Sequence, residues 1–243
     1  MKYLDHLKEL RNRLLFSFLF LFLCFFFFLY NFEYIGNFLT KPLFNLLSDS
    51  SNQRMIFTAL PEVFVSNLKI SLFASFLVSI PFLLIQVILF ASPALYKKEK
   101  KIFIPLVILS PFFFFAGLLF AYYFLIPVIW NFFISYENFL NESLPVELES
   151  KYSEYVKLTM FLLLASGLSF EFPVLIILLT KLKIFNQKFL SRNRKYFFIG
   201  ILIFSAIFTP PDVISQIGIA IPLIIFYEFS ILFIKIFLKD KNA

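Results

Sequence analysis

The sequence has very little of the residue types on which most active sites depend. It holds one histidine, one cysteine and five glycines in 243 residues. His6 is the one histidine, and the sequence has no HExxH, no GxSxG and no glycine-rich phosphate loop. Metal hydrolysis, His-assisted acyl transfer and nucleotide hydrolysis therefore all lack their usual groups. The lone Cys24 excludes an intramolecular disulfide and is read as a small apolar packing residue. We therefore expect neither an enzyme nor a metal or other cofactor.

Charged residues are also scarce. They make up 15% of the chain, whereas hydrophobic residues make up 60% and phenylalanine alone occurs 40 times. Ordinary soluble domains contain about 25% charged residues. The apolar segments close to the ~20 residues that cross a bilayer are residues 14–30, 70–90, 102–130, 155–182, 196–208 and 214–237. The sequence predicts an all-α membrane protein, a single polytopic domain with six transmembrane helices.

The distribution of basic residues decides how the shortest segment, 196–208, is interpreted. Its 13 residues rise only about 20 Å at 1.5 Å per residue, which also suits a re-entrant segment. However, 17 of the 22 lysines and arginines lie before the first segment, after the second, or at and beyond the ends of the fourth and the last. The positive-inside rule puts these regions in the cytoplasm only if all six segments cross. Both termini are then cytoplasmic, and the net charge of +7 reflects topology rather than nucleic-acid binding.

Two carboxylates interrupt the apolar segments. Glu171 lies in the run 158–179, two residues before Pro173, and Glu228 lies in the last segment. An acid at the centre of a membrane helix costs roughly 2.5–3.5 kcal/mol, so such residues usually face a partner or a wet cavity. Glu171 could have a functional role there, or its carboxyl group could simply be hydrogen-bonded by a neighbouring helix. The pair also leaves a proton-coupled secondary transporter as an alternative function.

The regions around the segments carry further patterns. Residues 31–67 contain an apolar stripe that predicts a short helix along the outer membrane surface. Prolines within the second, third, fourth and sixth segments predict bends or breaks in those helices. Bent helices can form a concave surface, whereas the absence of a visible internal repeat weakens the transporter interpretation.

Two acids in basic surroundings have a plain interpretation and a functional one. Glu9 precedes Arg13 by four residues on a predicted helix, and Glu99 stands among lysines. Surface salt bridges explain both, each contributing a few tenths of a kcal/mol. Alternatively, two separated carboxylates could hold two arginines of a partner, because guanidinium groups match carboxylates in fork geometry.

Several motifs occur in order along the chain: HLKELRNRL at 6–14, SPALY at 92–96 followed by Glu99, FAY at 120–122, GLSFEFPV at 167–174, and FTPPD at 208–212 followed by Ser215, Gln216 and Pro222. Together they resemble the TatC family, the multispanning component of the twin-arginine protein translocase. The resemblance extends from His6 to Glu228. It implies six membrane helices in a curved, glove-like arrangement in the cytoplasmic (inner) membrane.

The resemblance also implies a function. It predicts a receptor for the twin-arginine signal peptides of folded cargo proteins. TatA- and TatB-type single-span proteins, membrane lipid and further copies of the chain would be its partners, and the proton-motive force would drive export.

Family signal-peptide contacts carry over by resemblance to Glu9 and Glu99, with Arg11 in the same motif. Pro42 and Phe90 match positions to which the family is sensitive. Glu171 corresponds to the intramembrane acid of the concave face. Thr209, Asp212 and Gln216 correspond to a polar patch for a partner helix. A passive scaffold, which would tolerate neutral substitutions of the acids, is the other alternative.

Overall fold

Every regular element in the described residues is a helix. The structure is a computed structural model that describes residues 2–47, 55–91, 100–135, 150–209 and 211–237. The helices are α1 (Lys2–Tyr30), α2 (Phe32–Leu47), α3 (Glu62–Ala91), α4 (Lys100–Phe120), a π-helical turn (Ala121–Leu125), α5 (Ile126–Ser135), α6 (Tyr152–Phe170), α7 (Phe172–Lys181), α8 (Gln187–Arg192), α9 (Arg194–Phe208) and α10 (Val213–Phe237). The predicted all-α class is confirmed.

Five stretches in the described ranges are long and apolar enough to cross a membrane. They are Lys8–Tyr30, Glu62–Phe90, Pro105–Ser135, Tyr152–Lys181 and Val213–Phe237. α9 has only 15 residues and rises about 22 Å, so the sixth crossing stays a prediction. Helix α3 begins eight residues before the predicted segment, because polar residues such as Ser66 and Lys69 continue the helix beyond its apolar run.

The helices differ in how much of their surface the protein itself covers. In the apolar 18-residue stretch of Tyr152–Lys181, 67% of the residues are buried inside the protein, against 6% in the corresponding stretch of Lys8–Tyr30. Helices α6 and α7 are therefore central, while α1 is peripheral and presents its phenylalanines outward. Lipid is the solvent there, so exposed Phe16, Phe18 and Phe22 are satisfied by acyl chains rather than by a core.

Helices α1 and α3 pack antiparallel along a seam that includes hydroxyl side chains. Ser71 Oγ donates to Phe28 O at 3.3 Å near one end of the seam. The Phe20 and Phe82 rings lie 4.8 Å apart further along it. Hydroxyl residues at membrane helix interfaces let backbones approach closely. The end of the bundle that holds the start of α1 and the ends of α3 and α10 is called the basic end below, and the opposite end the acidic end.

Two of the predicted helix interruptions occur at prolines. The π-helical turn, in which Ile126 N–H donates to Ala121 O, lies immediately before Pro127. Glu171 separates α6 from α7, and Pro173 lies in the first turn of α7. Proline has no N–H to donate, so a helix often ends or rearranges nearby. By contrast, α3 and α10 each continue through an internal proline as one helix, at Pro81 and Pro222.

A polar junction organises the acidic end. Glu62 Oε2 accepts from Thr58 N–H at 2.8 Å, and Glu62 Oε1 accepts from Ser153 Oγ at 2.6 Å. Lys151 Nζ lies 4.0 Å from the same Oε1 atom. The backbone of Ile56 forms an isolated bridge with that of Lys151. One carboxylate thus ties the start of α3 to the start of α6.

Candidate functional site

The first candidate site lies at the basic end, where α1 meets α3. Arg13 Nε and Nη2 donate to the same atom, Glu9 Oε1, at 3.1 and 2.8 Å. The third donor, Arg13 Nη1, reaches across to Gln86 Oε1 of α3 at 2.8 Å. The Glu9 side chain stays 37% exposed, so the carboxylate is held and yet accessible from outside. The intrahelical salt bridge that the sequence suggested is therefore present, and it continues into a second helix.

Phe90 belongs to the same region. It lies one helical turn beyond Gln86 on α3, and residues four apart share a helix face. In the antiparallel pairing, Arg13 contacts Gln86, so the next turn back along α1, at Glu9, lies level with Phe90. The structure thus brings Glu9 and Phe90 to the same level of the bundle.

Arg11 is placed differently. Its side chain is exposed, and Nη2 donates to the neighbouring Asn12 Oδ1 at 3.4 Å. Arg11 follows Glu9 by two residues, which is a rotation of about 200° around the helix axis. Arg11 therefore lies on nearly the opposite face of α1. The motif residue that contacts Glu9 is Arg13. Glu99 lies outside the described residues, in the gap between α3 and α4.

The second candidate site surrounds Glu171 in the bundle interior. The residue is 2% exposed, at the break between α6 and α7. Its N–H donates to Leu168 O at 3.2 Å, which tightens the last turn of α6. Ser110 Oγ of α4 donates to Glu171 Oε1 at 3.1 Å. The carboxyl group thus has a hydrogen-bond partner on a neighbouring helix, one of the two possibilities that the sequence left open.

Helix α4 approaches α6 very closely one to two turns from Glu171. A Cβ atom added to Gly117 would lie 2.7 Å from Ser166 O and 2.9 Å from Gly167 Cα. Ser166 Oγ donates across this crossing to Gly117 O at 2.8 Å. Glycine at the crossing allows the two backbones to touch. This contact fixes the relative position of the helices that carry Ser110 and Glu171.

The third group lies at the acidic end, around Pro42 in α2. Proline cannot donate to the carbonyl four residues earlier, which is that of Phe38. Tyr122 supplies the missing donor, with its hydroxyl 2.8 Å from Phe38 O, and its ring stacks on Phe38 with centroids 4.2 Å apart. Tyr155 Oη donates to the next carbonyl, Leu39 O, at 2.7 Å. Buried Pro42 thus marks the place where two tyrosines clamp α2 to the bundle.

This clamp gives a testable coupling. We expect Tyr122→Phe to destabilise the protein by about 1–3 kcal/mol, because Phe38 O loses its donor in a partly buried position. In a Pro42→Ala background the helix regains the N–H for that carbonyl, so Tyr122→Phe should cost clearly less. Thermal unfolding of the four proteins in detergent checks this. Equal costs in both backgrounds would show that the hydroxyl does not replace the proline's missing donor.

The fourth group connects α9 to α10. Asp212 Oδ1 caps α10 by accepting from Ser215 N–H at 2.7 Å. Gln216 Nε2 of α10 reaches α9 and donates to Leu202 O at 3.3 Å. Asp212 Oδ2 and Ser215 Oγ are buried without a hydrogen-bond partner in the described part of the chain. Thr209 belongs to the same connection, so the structure brings all three predicted patch residues together.

The chain as a whole is similar to a set of known proteins. A family model described as "Sec-independent protein translocase protein (TatC)" matches residues 5–222. The chain belongs to the TatC family. TatC of Rickettsia prowazekii is 38% identical over 228 residues, which cover 94% of this chain and 90% of that protein. TatC of Escherichia coli K12 is 32% identical over 242 residues, covering 98% and 90%.

Solved structures agree with the sequence comparison. A crystal structure described as the twin arginine translocase receptor TatC superposes with a TM-score of 0.79 at 32% identity. The match covers 95% of this chain and 98% of the other. The TatC fold predicted from the motifs is therefore confirmed, and the chain is a component of the Sec-independent protein translocase.

Glu228, the other intramembrane acid of this TatC-family chain, forms an ion pair. Its Oε2 atom lies 3.0 Å from Arg194 Nη2 at the start of α9. The neighbouring Tyr227 is fully buried, and its hydroxyl donates to Leu190 O of α8 at 2.8 Å. Together these contacts fasten the short helix α8 and the start of α9 to α10 at the basic end.

The residues that sequence reasoning missed are the partners of the predicted ones. Gln86 binds Arg13, Ser110 binds Glu171, and Tyr122 binds the helix of Pro42. Gln86 is the one amide in the run 70–90, and a lone amide in a membrane helix could have signalled a cross-helix contact. Ser110 carried no such signal, because serines are frequent throughout these helices. No group of three potential metal ligands occurs within the described ranges.

Proposed function

We propose that this protein is the receptor subunit of a twin-arginine translocase. Glu9 and Glu99 bind the paired arginines of signal peptides on folded cargo proteins. The observation that supports this most directly is the accessible Glu9 carboxylate, fixed level with Phe90 at the end of α3, which leads into the segment of Glu99. Guanidinium groups engage carboxylates through two parallel hydrogen bonds, whereas an ammonium group acts as a point charge, so arginine is favoured over lysine.

The proposal includes the membrane arrangement and the partners. The chain crosses the cytoplasmic (inner) membrane six times with both termini inside, and it works with TatA- and TatB-type proteins, further copies of itself and the proton-motive force. The concentration of basic residues at one end of the bundle supports the orientation. The basic surroundings also disfavour nonspecific binding of cations.

Two other groups contribute contacts inside the membrane in this proposal. Glu171 provides a polar contact for the inserted signal peptide or for a partner helix, since an acid held at a helix break in the bundle interior offers strong hydrogen bonding in a low-dielectric setting. Thr209, Asp212 and Gln216 provide the polar patch on which a partner helix packs. The Asp212 Oδ2 and Ser215 Oγ atoms are buried and have no hydrogen-bond partner among the described residues, which supports this, because a polar partner could satisfy them.

Among the described residues, no observation favours the transporter alternative. Its second intramembrane acid, Glu228, is paired with Arg194 and 37% exposed. Its first, Glu171, contacts a serine rather than another titratable group. A proton relay would need a chain of such groups across the membrane.

The test is capture of a folded cargo by the full-length protein in membranes. We expect the Arg-Arg cargo to be captured and its Lys-Lys version to be lost. The double variant Glu9→Gln and Glu99→Gln should also abolish capture of the Arg-Arg cargo, because neutral amides cannot pair with two guanidinium groups.

Glu33→Gln is the matched control, since Glu33 is an exposed acid in the first turn of α2, at the acidic end of the bundle. It should leave capture unchanged. Undiminished capture by the Glu9 and Glu99 double variant would refute the assignment.

A further inference from the structure

In addition to its salt bridge with Glu9 on the same helix, Arg13 forms a hydrogen bond to Gln86 on a second helix. An intrahelical pair four residues apart contributes only a few tenths of a kcal/mol, and two long side chains are costly to hold in one geometry. Here Arg13 makes three hydrogen bonds, two to Glu9 and one to Gln86 on the other helix. The third bond fixes the guanidinium plane from outside α1, so the Glu9 carboxylate is held by a cross-helix brace.

We propose that Gln86 is a positioning residue for recognition of the twin-arginine peptide. It holds Arg13, and Arg13 holds the Glu9 carboxylate level with Phe90. The proposal rests on the proposed function of Glu9. Without the brace, the Glu9 carboxylate is held less firmly, and a bound peptide would have to restrict it further at a cost in affinity.

The chemistry of Gln86 suits this position. The neutral carbonyl oxygen of Gln86 accepts a hydrogen bond from Arg13 Nη1, but it carries no negative charge that would compete with Glu9 for the guanidinium group. Nε and Nη2 of Arg13 therefore remain directed at Glu9. A carboxylate at the same place would make a stronger bond and draw Arg13 away from Glu9. It would also add a further acid beside Glu9, which the proposed site does not contain. The amide therefore orients the arginine and leaves its charge to Glu9.

A double-mutant cycle tests the brace. The four full-length proteins are wild type, Gln86→Met, Glu9→Ala and the double variant, and the probe is a fluorescent synthetic Arg-Arg signal peptide. Methionine keeps the length of glutamine but replaces the carbonyl oxygen with a thioether sulfur, which is only a weak hydrogen-bond acceptor. We expect Gln86→Met to weaken binding about tenfold, as for loss of one charge-assisted hydrogen bond, and to have no further effect once Glu9 is alanine.

Two further measurements separate positioning from a general structural role. The preference for Arg-Arg over Lys-Lys peptide should fall in Gln86→Met, because only fork geometry requires a fixed carboxylate. Gln86→Glu should weaken binding as well, although it preserves a polar contact across the helices. A purely structural defect would instead lower the melting temperature and affect both peptides equally.

The outcomes distinguish the two proposals. Unchanged binding in Gln86→Met, with a loss in Glu9→Ala, would overturn the brace and leave the Glu9 assignment intact. Equal effects of Gln86→Met in both backgrounds would also overturn it. If Glu9→Ala alone binds the peptide normally, the proposed role of Glu9 fails, and the brace has no function in recognition.

Discussion

Replacing Gly117 by valine is expected to destabilise the protein by about 3 kcal/mol, at the upper end of the usual cost of overpacking. The new Cβ atom would meet Ser166 O at 2.7 Å and Gly167 Cα at 2.9 Å, and both atoms belong to the backbone of α6. A flexible side chain could move aside, but a helix backbone can yield only if α4 and α6 separate. That separation would also break the bond between Ser110 and Glu171.

Gly200 in α9 offers a matched control for this prediction. A Cβ atom there would meet nothing within 4 Å, so the same substitution creates no clash. We expect Gly200→Val to melt at or near the wild-type temperature in detergent, and Gly117→Val to melt several degrees lower. Similar melting temperatures for the two variants would show that the crossing of α4 and α6 is looser than its geometry implies.

The second large effect is expected at Glu171, where alanine should reduce export of folded cargo at least tenfold. A tenfold loss corresponds to about 1.4 kcal/mol, which is within the range for one hydrogen bond to a charged or strongly polar group. The reason is that the carboxyl group, at the break between α6 and α7, would no longer offer a polar contact to an inserted peptide or helix. Export into sealed vesicles that contain the full translocase measures this.

Ser110→Ala is the control that separates this role from simple packing. It removes the neighbour that hydrogen-bonds to Glu171 and leaves the carboxyl group in place. We expect Ser110→Ala to export cargo at close to the normal rate, and Glu171→Gln to lie between wild type and alanine because it keeps a carbonyl acceptor. If Ser110→Ala is as defective as Glu171→Ala, the carboxyl group serves only to join α4 to α6.

The predictions from the sequence were strongest where a local physical rule applies. The stripe in residues 31–67 predicted a helix, and α2 forms at Phe32–Leu47. Pro173 predicted an interruption beside Glu171, and α6 ends there. Both follow from interactions within a few residues, namely the periodicity of apolar side chains and the missing N–H of proline.

The sequence did not predict the hydrogen-bond partners of Arg13 and Glu171, because those partners are distant in the chain. Gln86 lies 73 residues from Arg13, and Ser110 lies 61 residues from Glu171. Helical periodicity gives the face of a residue but not which helix covers that face. In a membrane this ambiguity is greater, because the surface that faces lipid and the surface that faces another helix are both apolar.

The sequence alone therefore determined the class of the protein, its helices, the uneven distribution of its charges and, by resemblance, its family. Those properties depend on hydrophobicity, charge and local backbone rules, which can be read along the chain. Only the tertiary structure decided that Gln86 binds Arg13, that Ser110 binds Glu171 and that Tyr122 hydrogen-bonds to the helix of Pro42. These pairings depend on how the helices are rotated and placed against one another, which is set by close contacts such as that of Gly117 with α6.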